Sequence, residues 1–201
     1  MLIFQEPVLR EQLERLPPCS RVIFAASCAQ RLAHAFYAFA RQNRQDDLLK
    51  LFDNALNYAW MHVFGTPESE TINQLITDVM ESIPDEDAPG WTLLSPYADD
   101  ALSAVVYCLR CLQSGHAQEA AWAARRVYEA LDHFVRYKEN VSSSDPEVEM
   151  RISSNTVIQK ELQRQARDIT DLHSAGHSLP QEFIDKLRRR SVAEQAITID
   201  L

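Results

Sequence analysis

Four glycines in a chain of 201 residues are too few for the hairpins and tight βα connections of a sheet protein, so the backbone is confined largely to helices. Ala, Leu, Gln, Glu and Arg, which lose least on entering a helix, fill much of the remainder. At 46% hydrophobic content the chain can bury one full core, and its length suits a single domain over residues 1–201. The expected fold is therefore all-α, a bundle of about seven to eight helices around a central apolar helix.

The helical phase of the apolar residues gives the element order. Residues 6–16 read as a short helix with Val8, Leu9, Leu13 and Leu16 on one side, ended by Pro17 and Pro18. Ser20 is placed to cap the most apolar helix, which runs to Ala40 and is the expected hub because its apolar residues cover a wide sector. Further helices are expected at 46–64, stopped by Gly65, and at 67–83 behind a Thr66 cap. Two more follow at 95–114, closed by Gly115, and at 116–140. Asp145 and Pro146 start a long helix that reaches Ser174 and stops at Gly176, and a last helix follows Leu179-Pro180. Residues 192–201 form a tail, either extended or a short strand. No secretion signal or membrane span is read, and four cysteines without a secretory context point to reduced thiols, so the expected location is the cytoplasm.

The net charge of −9 is unevenly spread. Between Leu51 and Leu109 there is no Lys or Arg, while ten acids leave the rest of the chain near neutral at +1. Such a surface repels phosphate backbones and attracts a basic protein, so nucleic-acid binding is disfavoured; a solvated face that only aids solubility is the plainer alternative.

Few residues advertise chemistry. Asp99 and Asp100 adjoin on a helix and diverge by about 100° rather than converging as a catalytic pair, so both are expected to face solvent or a neighbour's edge, where the helix N-terminus favours them. Cys108-x-x-Cys111 has redox spacing but lies in the last turns of a helix, the wrong end for lowering a thiol pKa. His173 and His177 flank Gly176 without a metalloprotease glutamate, and His34, His62, His116 and His133 are scattered. Neither a nucleophile elbow nor a phosphate-binding glycine loop occurs. Among the aromatic residues Trp91 stands apart, because it lies in the acidic loop 85–91; there it serves as an interface anchor or as a plug for the loop. The candidate partner-binding residues are Asp85, Glu86, Asp87, Trp91, Asp99 and Asp100. No catalytic residue, metal ligand or cofactor is assigned.

Several stretches taken together, RVIFAASCAQRLAHAFYAF, PYADDALSAVVYCLR, YEALDHFVRY and IQKELQRQARDITDL, resemble the bacterial YjaG-like family of small cytosolic proteins of unknown function. The likeness spans about residues 21–191, strongest in the blocks 96–101 and 24–29. It implies a helical domain and brings no reaction or cofactor. The acidic loop 85–91 and the C-terminal extension depart from the family pattern, which makes them candidate sites of member-specific recognition.

Three functional readings follow. The first is a non-enzymatic binder of a basic partner protein, in its concrete form an immunity protein that neutralises a bacterial toxin. The second is a self-associating housekeeping or regulatory protein, expected as a two-fold homodimer. The third is an enzyme or metal protein in which folding brings Cys108, Cys111, histidines and acids together.

Overall fold

The structure, a computed structural model, describes residues 1–65, 67–87, 89–140, 147–176 and 179–199. Its described residues form an all-helical domain of ten helices: α1 (Glu6–Glu14), α2 (Pro18–Arg31), α3 (Ala33–Gln42), α4 (Asp46–Met61), α5 (Ser69–Glu81), α6 (Ser95–Ser114), α7 (Ala117–Lys138), α8 (Val148–Ser154), α9 (Thr156–Ala175) and α10 (Gln181–Ala193). Prolines stand in the first turns of α1, α2 and α6, where a missing N–H costs nothing. Gly115 ends α6 in the left-handed conformation at φ +68°, as its sequence position predicts.

Two helices share the centre. Every residue of α2 from Val22 to Arg31 is buried, as expected of a hub. α6 is just as central, packing against α2, α3, α4, α5 and α7, with fourteen of its twenty residues buried. The α6–α7 contact is the most extensive, because Ala120, Ala121, Ala123 and Ala124 present no bulk and let the two axes approach closely.

The helix count exceeds the expectation because two predicted helices each fold as two. The first break falls at Leu32, between α2 and α3, with no glycine or proline to cause it. A continuous helix would pair the His34 N–H with the Gln30 carbonyl. Instead the side-chain amide of Gln195 stands between them, donating from Nε2 to Gln30 O at 3.2 Å and accepting from His34 N at 2.9 Å. The next carbonyl, Arg31 O, accepts from Ala196 N at 2.8 Å. The C-terminal segment thus replaces the missing helical bonds, a recognised cause of a break. The second break is at Asn155, whose side chain accepts from Val157 N at 3.0 Å and caps α9. That signal was in the sequence, as the run Ser153-Ser154-Asn155-Thr156.

Other boundaries also shift. Ser20 is no cap: α2 begins two residues earlier, and Ser20 lies buried within it. Val8, assigned to the inward side of α1, is exposed. α4 ends at Met61 rather than Phe64, and α5 starts at Ser69 with Glu68 before it. The expected roles of Thr66, Asp145, Pro146 and His177 lie outside the described residues. The tail beyond Ala193 is non-helical as far as it is described, with bends at Glu194 and Ala196, and is tied down by the Ala196 N–H bond and by Ile197, which is buried.

Candidate binding cleft

The charged side of α7 is laid out by helical spacing. Arg125, Arg126, Glu129, Asp132, His133 and Arg136 recur three and four apart, opposite the alanine stripe that packs on α6. This face meets the first turns of α6, the start of α1 and the acidic loop, and between them lies a cleft of about 690 Å³. Trp91 and Pro96 contribute to its lining, as do Phe4 and Tyr128, which stack at 5.0 Å.

Seven carboxylates and three guanidiniums line the cleft, giving a formal charge of −4 with every carboxylate ionised and His133 neutral, or −3 with Asp100 protonated. The arginines are all engaged. Arg125 pairs with Glu6 at 3.3 Å and Glu129 at 2.7 Å, and Arg136 with Asp132 at 2.7 Å and Glu149 at 3.2 Å. Arg126 divides between Asp100 at 3.3 Å and Glu129 at 3.2 Å. Glu86 and Asp99 have no ion-pair partner among the described residues; Asp99 accepts from Ser103 Oγ at 3.0 Å. The cation-free stretch 51–109 is therefore partly neutralised in space by α7, and what remains is acid.

Asp100 corrects one expectation. It faces neither solvent nor an exposed edge: its side chain is only 3% exposed. Arg126 holds Oδ1, while Oδ2 is buried with no hydrogen-bond partner among the described residues. Burial is the main cause that pushes this carboxyl up to about 8, against the pull of Arg126 and with a smaller push from neighbouring Asp99. Asp99, one position earlier, is half-buried, and neither acid lies in the first turn of α6.

Four of the six candidate residues, Glu86, Trp91, Asp99 and Asp100, thus converge on one cleft. Trp91 is half-buried along its wall. Asp85 and Asp87 are exposed outside the lining, where Asp87 N donates to Asp85 Oδ1 at 3.0 Å. The α7 residues were not anticipated, although their spacing was readable.

Folding does not bring Cys108 and Cys111 together with His133. Cys108 and Cys111 are buried in α6, burial raising both thiols and pushing Cys111 up to about 12, while His133 is exposed on α7 in the cleft. No group of three or more His, Cys, Asp or Glu suited to a metal ion occurs among the described residues.

A second charged cluster lies in the core. Arg31 of α2 is fully buried and pairs with Glu161 at 2.9 Å and Asp168 at 2.7 Å, both from α9. Burial alone would lower the guanidinium pKa, but the two carboxylates outweigh it and raise it. Gln165 donates to Glu161, and Arg190 of α10 reaches Asp168 at 2.6 Å. Every carboxylate in this cluster has a cation, and its ion pairs join α2, α9 and α10. No helix among the described residues is long and apolar enough to cross a membrane.

Fold and cleft together define a class: a single helical domain with an acidic, aromatic-walled cleft between helices. Within that class the chain belongs to the DUF416 family, described as "Protein of unknown function", whose match covers residues 8–199. A crystal structure of a DUF416 family protein from Shewanella baltica OS155 is similar over 96% of this chain and 98% of that one, with a TM-score of 0.78 and 15% sequence identity. At that identity the likeness shows the fold. None of the curated proteins matches the chain.

Proposed function

We propose that the chain is a non-enzymatic helical protein that binds a basic partner protein through the cleft between α6, α7 and the acidic loop. The observation that carries this reading is the residual negative charge of the lining beside Trp91, after every arginine in it has been matched to a carboxylate. Such a surface steers a basic partner and gives it an aromatic anchor. An immunity protein covering a basic toxin domain in the cytoplasm is the specific form of this reading, and a self-associating housekeeping member of the YjaG-like family is its rival.

Affinity capture of the full chain from its own cells, repeated with Glu86→Lys, tests it. A stoichiometric basic protein retained by the native chain and lost with the variant supports the reading, and rescue by co-expression would identify that protein as a toxin. Recovery of the chain alone, as a concentration-dependent dimer, would replace partner binding with self-association.

A further inference from the structure

We infer that the inner end of the cleft is a socket for one lysine or arginine side chain of the partner, with Asp100 as its terminal acceptor and Trp91, Asp99 and Glu86 around it. This rests on the reading of the cleft as a basic-partner site and specifies what enters it.

Asp100 Oδ2 supplies the first argument. A buried carboxylate oxygen without a hydrogen bond is costly, and an incoming ammonium or guanidinium N–H repays that cost with a charge-assisted bond. The second argument is charge. Arg126 already serves both Asp100 and Glu129, and Arg125 and Arg136 are held by other carboxylates, so no cation of the described lining is left for Asp99 or Glu86. The third is the wall, since an indole face attracts a cation, as Trp60 of this same protein does with Arg188 at 5.8 Å. Asp100 lines the cleft, but Oδ2 is itself closed to solvent, so the lining has to open slightly for a side chain to reach it, which suits the slender end of an extended side chain rather than a bulky group.

Docking is linked to pH. A seated cation favours the ionised carboxylate that burial otherwise disfavours, so a proton leaves Asp100 for solvent as the side chain enters. The charged groups facing Asp100 are Asp99 on α6 and Arg126 and Glu129 on α7. Glu86 joins the lining from the loop, Glu6 from α1, Glu149 from α8, and Arg125, Asp132, His133 and Arg136 from α7.

The test uses the full ¹⁵N-labelled chain and three capped tripeptides, acetyl-Gly-X-Gly-amide with X as lysine, arginine or norleucine, followed at the Trp91 indole resonance assigned with Trp91→Phe. The lysine and arginine probes are expected to shift that resonance and the norleucine probe to leave it in place. Their affinity should rise between pH 6 and pH 8, by up to about fifty-fold where docking releases the whole proton. Measured in chains that both carry His133→Gln, so that this neighbour adds no charge change of its own, Asp100→Asn, which keeps the side chain's shape, should abolish that rise. Binding of norleucine as tight as lysine, an unmoved Trp91 signal, or a pH rise that survives Asp100→Asn would each overturn the socket. So would a response to butane-1,4-diamine without one to the tripeptides, which would mark a site for a small free cation. If the tripeptides miss the cleft while a basic protein is still captured in a Glu86-dependent way, the socket fails and the broader reading stands.

Discussion

A single buried carboxyl should give this protein a pH-dependent stability. Asp100 is held near 8 in the folded chain, against about 3.9 for an unfolded aspartate. Between those values the folded state binds the extra proton, so the contribution is fully present below about pH 4 and is lost as pH rises through 8, by up to about 1.4 kcal/mol per pH unit. Urea unfolding of Asp100→Asn is therefore expected to gain on the native chain from pH 5 to pH 8, whereas a constant difference would mean that Asp100 is ionised throughout. Arg31 makes the opposite case. Its removal leaves Glu161 and Asp168 buried with less positive charge, so Arg31→Met should cost about 3 kcal/mol or more. Adding Glu161→Gln should recover part of that loss, measured as a coupling in a double-mutant cycle. Neither role was visible from residue type: Asp100 was expected to face solvent or a neighbour's edge, and nothing near Arg31 in the sequence marks Glu161 and Asp168 as its partners.

At the scale of elements, the chain closes its helix ends with side chains from distant segments. Arg21 donates from Nε to Leu13 O and Leu16 O and from Nη1 to Gly115 O at 2.7 Å, so one guanidinium serves the ends of α1 and α6. Gly115→Ala would place a methyl 3.2 Å from Pro18 Cβ at a positive φ, and a loss of about 1–2 kcal/mol in thermal unfolding is expected. Gln195 does for the Leu32 break what Arg21 does for those two ends. Gln195→Ala strands His34 N and removes one of the bonds to Gln30 O, so stability should fall by about 1–3 kcal/mol, and amide exchange should accelerate at His34 and Ala196. Unchanged protection at both amides would show that the helix break persists without the tail. Neither break was expected from the sequence, but the α8–α9 break has a local cause in Asn155 that the sequence carries, whereas the Leu32 break has none.

For the whole molecule the relevant quantity is the field around the cleft. Charge reversal at Glu86, inside the lining, should slow association of a basic partner and weaken its salt dependence. The same reversal at Asp87, exposed outside the lining, should do less. Association rates measured across ionic strengths would separate the two, and equal effects would return the role to the acidic loop as a whole. Six candidate residues were drawn from one acidic stretch. Folding kept four of them on the cleft and surrounded them with α7, whose arginines cancel much of the charge that composition alone had assigned to that surface.

What the sequence determined by itself was the class and most of the segmentation. Scarce glycine, apolar residues at helical spacing, and prolines and glycines at segment ends act within one or two turns, so they can be read without knowing what packs where. Tertiary structure decided the rest. Leu32 breaks a helix because Gln195, more than 160 positions away, occupies the bond between Gln30 and His34. Asp100 is buried because α7 packs over it, and Arg31 is tolerated in the core because α9 brings Glu161 and Asp168 to it. Burial and electrostatic partners depend on distances between segments, and those distances exist only once the helices have packed.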